Sequence, residues 1–300
     1  MKATAIAPAN IALIKYWGRK DAKLRLPANP SISMNLSACI TTTTVEFSSD
    51  FENDVVTEGF DNRRILDHID RIRNMAGKKE SVHIVTNNSF PTSAGIASSA
   101  SGFAALTVAA ATALNLQLSE KELSAFARLG SGSASRSIPD GFVKWEGEYA
   151  HSLYPPDWWD LRDIIVILAT KAKKISSSVG HDRAGSSPFF LKRLEALPER
   201  IARLETALKT KNFPMLGQVI EEDCLDMHHV MQTQNPPLYY WNEETKEVIK
   251  TIRGLPACFT IDAGSNVHVI CEAKNEENVI RKLRKYQLIV NKPALGAHII

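Results

Sequence analysis

The stretch PTSAGIASSASGFAALTVAAATALNL, residues 91 to 116, constrains the chain most. Small residues there give way to a long Ala-rich helix, and a helix start without bulk can lie very close to a sheet. Gly95 permits a tight backbone, and Ser98, Ser99 and Ser101 place hydroxyls where the chain turns into the helix. Free N–H groups and the positive end of the helix dipole can meet a phosphate at such a place. The spacing matches neither G-x-x-x-x-G-K-[ST] nor G-x-G-x-x-G, which removes the P-loop and the Rossmann fingerprint. A phosphate loop and close packing of a small-residue helix start both remain open on this pattern alone.

Around that helix the pattern is mixed. Alternation and β-branched runs such as TTTTVEF predict strands over residues 2–7, 32–36, 41–47 and 82–85, with a helix over 62–75. Ser119 with Glu122 has capping-box spacing and opens a helix over 119–129, after which GSGSASRSIPDG leads into a strand, FVKWEGEY. In YPPDWWDLRD two prolines and two tryptophans precede the apolar strand IIVILAT, so the chain is expected to divide into residues 1–158 and 159–300. Beyond lie two long helical patterns broken near Pro214, a PPLYYW loop, a helix over 243–253 and strands flanking DAGSN. A helix over 275–286 and a closing strand in LIVNKPALGAHII end the chain.

With 300 residues, 44% hydrophobic and 23% charged, disorder and low-complexity architectures are excluded. Thirty-six basic against 33 acidic residues give a net charge of +3, yet no basic block carries it. Nucleic-acid binding needs a concentrated Lys/Arg stripe; the balance suits a small anionic ligand or a solvated mixed surface. No apolar run reaches about 18 residues, so no membrane span or membrane partner is expected. Cys39, Cys224, Cys258 and Cys271 lie far apart without a C-x-x-C, which fits a reducing compartment and makes the cytoplasm the expected location.

Other segments carry chemistry with a plainer reading beside it. Gly130 to Ser137 holds Ser131, Ser133 and Arg136, either an anion cradle with a bidentate guanidinium or a helix start with a surface Arg. Lys15, Tyr16, Trp17, Gly18, Arg19 and Lys20 set three cations beside two aromatics, or are a strand end with solvated charges. Asp262 leaves an apolar strand into Ala-Gly-Ser-Asn, as an Asx-turn former or as a base in a cleft. His228 and His229 are adjacent, about 100° apart on a helix, and unsuited to one metal.

Taken in order, several blocks resemble the mevalonate diphosphate decarboxylases of the GHMP small-molecule kinase superfamily. They are APANIALIKYWGRKD, LPANPSISMNLS, NNSFPTSAGIASSASGFAAL, GSGSASRS with GFVKW, DWWDLR followed by KKISSSVG, MHHVMQTQNPPLYYW, and FTIDAGSNVHVI, spanning nearly the whole chain. The resemblance implies a two-domain α+β GHMP-kinase-like sandwich, its N-terminal domain binding nucleotide, with ATP and a mevalonate-derived acid meeting in the interdomain cleft. It implies Mg2+- and ATP-dependent phosphorylation of the tertiary 3-hydroxyl of (R)-5-diphosphomevalonate, then loss of phosphate and CO2 to give isopentenyl diphosphate, by a homodimer. By matching position, Asp262 is the catalytic carboxylate, Lys15 its neighbouring lysine and Arg136 the clamp on the substrate carboxylate. Ser131 and Ser133 fall on substrate and phosphate contacts, and Tyr16, Arg19 and Arg64 on the 5-phosphate or diphosphate end. Ser93, Gly95, Ser98, Ser99 and Ser101 fall on the nucleotide phosphate loop, with the Ser98 hydroxyl reaching Mg2+.

The chain departs from the family at Arg19, where Lys is usual, and in SSVGHDRAGSSPFF, which lacks the usual Met and Thr-Ser pattern and offers Ser186 and Ser187 as approximate substitutes. These differences leave a phosphomevalonate decarboxylase giving isopentenyl phosphate as the alternative. A mevalonate 3-kinase is disfavoured because both Lys15 and Asp262 are present. A non-catalytic ligand-binding member would show an eroded phosphate loop or base, and neither is eroded.

Overall fold

The computed structural model describes residues 1–57, 61–91, 98–168 and 177–300, the side chain of residue 177 excepted. In chain order the elements begin with β1 (Lys2–Ile14), β2 (Arg19–Asp21), β3 (Leu26–Pro27), β4 (Ser31–Ser48), β5 (Val55–Val56), α1 (Asn62–Ala76), β6 (Ser81–Asn88), α2 (Ser98–Ala113) and α3 (Glu120–Gly130). There follow β7 (Phe142–Glu146), β8 (Tyr149–Tyr154), β9 (Leu161–Ile167), α4 (Ser177–Arg183), α5 (Phe190–Thr210), α6 (Phe213–Thr233) and α7 (Glu243–Ile252). The last are β10 (Ala257–Thr260), β11 (Val267–Glu272), α8 (Glu276–Leu283), β12 (Gln287–Asn291) and β13 (His298–Ile299).

A first sheet runs β13-β1-β4-β6-β5, with β7 on β4 and β8 on β7; a second runs β10-β11-β9-β12. Helix α2 carries no charged residue and buries Phe103, Leu106 and Val108 with most of its alanines, between the first sheet and helices α1 and α3. Only a buried position tolerates so apolar a helix. Ser119 accepts from the Glu122 N–H, and the Glu122 side chain takes the Ser119 N–H, so the expected capping box starts α3. Asn212 caps α6 with Pro214 in its first turn, which is why the two helical patterns separate there. An apolar cluster joins the sheets: Ile11, Leu13, Ile32 and Met34 from the first pack with Leu161, Ile165, Leu204 and Ile220.

Three expectations are corrected. Residues 32–36 and 41–47 belong to one 18-residue strand, β4, whose register against β1 shifts between Pro8 and Asn10. The irregular backbone there is held by the C-terminal segment: Ser37 N–H donates to the Lys292 carbonyl (3.1 Å) and Ala38 N–H to Asn291 Oδ1 (3.0 Å). FVKWEGEY is a hairpin, β7 and β8, turning at Gly147 with φ +65°. The closing strand is two strands on different sheets, β12 on β9 and β13 back on β1.

Candidate active site

Lys15 directly follows β1 and Asp262 lies two residues past β10; Lys15 Nζ meets Asp262 Oδ1 at 2.6 Å. The lysine side chain is 1% exposed, while the carboxylate keeps 26% and so faces solvent on one side. Burial pushes the Asp262 pKa up, but the Lys15 ammonium, with help from His268 and Arg136, outweighs it and holds the carboxyl below the ordinary carboxylate value. The tight turn after Asp262 is closed by backbone, Gly264 N–H to the Asp262 carbonyl at 2.7 Å, while the side chain is directed to Lys15. The Asx-turn reading therefore gives way.

Helix α6 fixes both members of the pair. Buried Asp223 accepts the Lys15 N–H at 2.7 Å, and the Lys15 carbonyl accepts from Asn29 (2.9 Å) and from Arg193 of α5 (3.3 Å). Arg193 and Asp223, both fully buried, pair at 3.0 Å. One residue before Asp262, the Ile261 N–H donates to Cys224 Sγ (3.2 Å), and the Ile261 carbonyl is 3.2 Å from His228 Nε2. Burial pushes the His228 pKa down to about 4, so the ring is neutral and Nε2 carries the donated proton. Asp223, Arg193, Cys224 and His228 were all missed as site residues. The available signal was Asp223, a carboxylate among Val219, Ile220 and Met227 on the core face of a helix.

Arg136 is 4% exposed, which removes the surface-Arg reading. In the 3-10 turn Gly132–Ser137 its Nε donates to Asn10 Oδ1 (3.2 Å) and its Nη1 to Ser31 Oγ (2.7 Å), both neutral acceptors. Nη2 has no partner among the described residues, and burial lowers the Arg136 pKa to about 10. A buried guanidinium without a carboxylate is an incomplete ion pair, and the missing half is an anion. A chain of contacts ties it to the start of α2: Ser99 Oγ to Ser131 Oγ (3.2 Å), Ser131 Oγ to Ser133 Oγ (3.3 Å), and Asn10 Nδ2 to the Ser133 carbonyl (3.1 Å). Gly132 is needed because a Cβ would lie 2.9 Å from Tyr16 Cε1 and 3.1 Å from Trp145.

A second group of cations gathers around Tyr16. Its hydroxyl accepts from Arg19 Nε (3.2 Å), while Arg19 also reaches Asp182 (2.8 Å) and Ser178 (3.3 Å). Arg64 and Arg25 donate to the neighbouring carbonyls of Gly130 (3.0 Å) and Leu129 (3.1 Å). Burial and then the charges of Arg19 and Arg64 lower the Arg25 pKa to about 10. Arg25 thus joins Arg19 and Arg64 in a cluster whose mutual repulsion a polyanion relieves.

Of the phosphate-loop residues, Ser93 and Gly95 lie outside the described residues. Ser98 opens α2, with no acidic residue in the first turn to compete with an anion, and Ser99 is exposed. Ser101 is corrected to a packing residue: it is fully buried, and its hydroxyl accepts from Thr41 of β4 at 2.6 Å, because it lies on the helix face turned to the sheet. Ser186 and Ser187 are likewise engaged, with the Asn235 N–H (2.8 Å) and Thr233 (2.7 Å). No group of three or more His, Cys, Asp or Glu able to hold a metal occurs among the described residues. A Mg2+ ion therefore fits here as the companion of a triphosphate, which supplies most of its ligands beside one or two protein oxygens.

A buried Lys–Asp pair, an unpaired guanidinium and a serine-lined helix start on this α+β scaffold define a GHMP-kinase-like fold with a phosphate-handling site. The chain superposes on mevalonate diphosphate decarboxylase from Staphylococcus aureus with a TM-score of 0.94 and 38% identity, over 100% of this chain and 98% of that one. Against MDDEF in complex with MVAPP, AMPPCP and magnesium the TM-score is 0.94 at 34% identity, over 100% and 99%. Residues 7–153 match the diphosphomevalonate decarboxylase-like N-terminal domain, and residues 163–294 the mevalonate 5-diphosphate decarboxylase C-terminal domain. Diphosphomevalonate decarboxylase of Candida albicans is 34% identical over 95% of this chain and 88% of its own length. The chain belongs to the diphosphomevalonate decarboxylase family.

Proposed function

We propose that the chain is an ATP-dependent carboxy-lyase converting (R)-5-diphosphomevalonate to isopentenyl diphosphate, ADP, phosphate and CO2. The observation that carries this is the Lys15–Asp262 pair beside Arg136, a buried cation whose partners are all neutral. Arg136 takes the substrate carboxylate, and Arg19, Arg25, Arg64 and Tyr16 take the diphosphate. Ser131 and Ser133 contact the substrate between these ends. Ser98 and Ser99, with the N-terminus of α2, receive the phosphates of ATP.

The 3-hydroxyl oxygen, hydrogen-bonded to Asp262, attacks the γ-phosphorus while the bond from that phosphorus to the β,γ-bridging oxygen breaks and ADP leaves; the hydroxyl proton passes to an oxygen of the transferred phosphoryl group. A carboxyl with a depressed pKa is a weak base, so Asp262 acts chiefly by orienting the hydroxyl and staying negative. Lys15 neutralises charge on the transferred group. The C3–O bond then breaks with its electron pair leaving on phosphate, the C1–C2 pair becomes the C2–C3 double bond, and CO2 departs. Positive charge developing at C3 faces the Asp262 carboxylate, while Arg136 holds the departing group aligned. Mg2+ would be held on the protein side by the Ser98 hydroxyl and would neutralise charge on the triphosphate.

One assay plate tests the reading: ATP and Mg2+ with mevalonate, its 5-phosphate and its 5-diphosphate, following ADP, phosphate and CO2. Release of all three products is expected with the diphosphate. Turnover of the 5-phosphate alone moves the assignment to phosphomevalonate decarboxylase, and ADP without CO2 moves it to a 3-kinase. Division into a nucleotide-binding half and a C-terminal half at residue 158, a homodimer and a cytoplasmic location belong to the same proposal. Four free, buried cysteines favour the reducing compartment, and sedimentation at working concentration decides the dimer.

A further inference from the structure

Helix α4 carries a buried histidine. His181 is 9% exposed, with its ring stacked on Tyr16 (centroids 4.1 Å apart, 25° between planes) and tilted against Trp17 (4.5 Å, 38°). Two glycines allow this packing: a Cβ on Gly180 would lie 2.5 Å from Trp17 Cη2, and one on Gly18 2.5 Å from Phe190 Cζ. His181 Nδ1 accepts the Gly18 N–H at 3.1 Å. A ring nitrogen that accepts a hydrogen bond carries no proton, so in the neutral ring the proton is on Nε2. Burial, and after it the charges of Arg19, Arg25 and Arg136, push the His181 pKa well below its ordinary value and keep the ring neutral. Nε2–H has no hydrogen-bond partner among the described residues.

We propose that His181 is a substrate-positioning residue of this chain, its Nε2–H donating to a phosphate oxygen at the diphosphate end. The proposal rests on the function proposed above. Its neighbours point the same way: Ser178 and Asp182, one on each side of His181 in α4, both hold Arg19, and Arg19 holds the Tyr16 hydroxyl against which the imidazole stacks. The diphosphate end already gathers three arginines, and a further cation there would add to their repulsion. A neutral donor with a fixed tautomer adds a directed hydrogen bond without adding charge. The imidazole has one nitrogen bound to the scaffold and the other available.

Two substitutions separate donation from packing. In H181N the amide oxygen can still accept from Gly18, but no donor reaches the Nε2 position; H181Q restores a donor near it. For H181N the KM for 5-diphosphomevalonate is expected to rise about tenfold or more, the value for losing a hydrogen bond to a charged group, while the KM for ATP stays level. H181Q is expected to recover a good part of that loss. A native KM in H181N, equal losses for both substrates, or no difference between the variants overturns the proposal. Should the variants fail to fold, the 15N-histidine-labelled native protein decides: addition of 5-diphosphomevalonate must shift the His181 Nε2–H resonance, and an unmoved signal overturns the proposal. If the native chain turns over none of the three mevalonate compounds, the function reading fails by itself. Titration with inorganic pyrophosphate then asks whether Nε2–H still meets a phosphate, and no shift there overturns the His181 assignment as well.

Discussion

Asp262 and Arg136 place opposite demands on the same buried space. Asp262 is stabilised as an anion by Lys15, whereas Arg136 donates only to the neutral Asn10 and Ser31, and on the proposed function the substrate carboxylate supplies its counter-ion. Asp262→Asn keeps size and removes charge, so kcat is expected to fall about 100-fold or more with little change in substrate KM. Rapid quench separates its two duties: loss of phosphoryl transfer leaves no 3-phosphorylated intermediate, while a defect confined to decarboxylation lets it accumulate. Near-native turnover would leave the mechanism without its anion. Arg136→Met should behave differently, because removing a buried charge that has no counter-ion favours folding while leaving Asn10 Oδ1 without its donor opposes it. The Tm of the ligand-free variant is expected to stay near the native value. Substrate binding should weaken by about 2–5 kcal/mol, with ATP affinity kept. A variant that loses nucleotide affinity equally would move Arg136 to the ATP side.

Helix α6 shows how an element can matter to chemistry without touching substrate. Its Asp223 holds the Lys15 backbone, and its Cys224 and His228 hold both polar groups of the Ile261 peptide. Asp223→Asn leaves Arg193 buried beside a neutral amide, and loss of one partner from a buried pair costs about 3–5 kcal/mol. Denaturant unfolding should register that loss, and any folded fraction should have reduced kcat because Lys15 is no longer fixed. Full stability in this variant would mean that Asp226, 3.0 Å from Arg193, carries the pair. The same elements mark what the sequence made legible. Local signals were sufficient where the cause was local: the Ser119–Glu122 box and the Pro214 break occur as expected, and the run TTTTVEF is strand, though within a longer one. Lys15, Asp262 and Arg136 were found through block resemblance, since no spacing rule brings residues 15, 136 and 262 together. Ser101 was misplaced because a serine one turn into a helix looks the same whether it faces phosphate or Thr41. Asp223 and His228 escaped because their partners are backbone groups about 208 and 33 residues away, which no periodicity encodes.

Burial of neutral histidines and the return of the C-terminus bear on the stability of the entire fold. Burial lowers the pKa of His68 to about 3 and of His228 to about 4, and that of His181 well below 6.5. The unfolded chain takes up these protons below about pH 6.5 while the folded chain does not, so folding weakens as pH falls through that value. The loss runs up to about 1.4 kcal/mol per pH unit for each histidine and ends only as the folded rings protonate. Denaturant midpoints should therefore drop steadily from about pH 6.5 to about pH 4, and a flat profile would mean the rings are charged when folded. The C-terminal return joins the sheets beside the Arg136 turn. Gly141 N–H donates to the Ala294 carbonyl (2.9 Å), Gly296 N–H to Asp140 Oδ1 (2.6 Å) and Ala297 N–H to the Ser137 carbonyl (2.9 Å), before β13 pairs with β1. The tail thus straps the backbone that follows Arg136. A Cβ on Gly296 would lie 2.0 Å from the Ile138 carbonyl oxygen and 2.6 Å from that of Pro139, so one strand of backbone must give way in Gly296→Ala. Overpacking of this kind costs about 1–3 kcal/mol, and the displaced peptide is only two residues from Arg136. The variant is expected to lose stability and to show a raised KM for the decarboxylated substrate with an unchanged KM for ATP. A lower Tm with both KM values native would show that the tail supports the sheet alone and that Arg136 takes its position from Asn10 and Ser31.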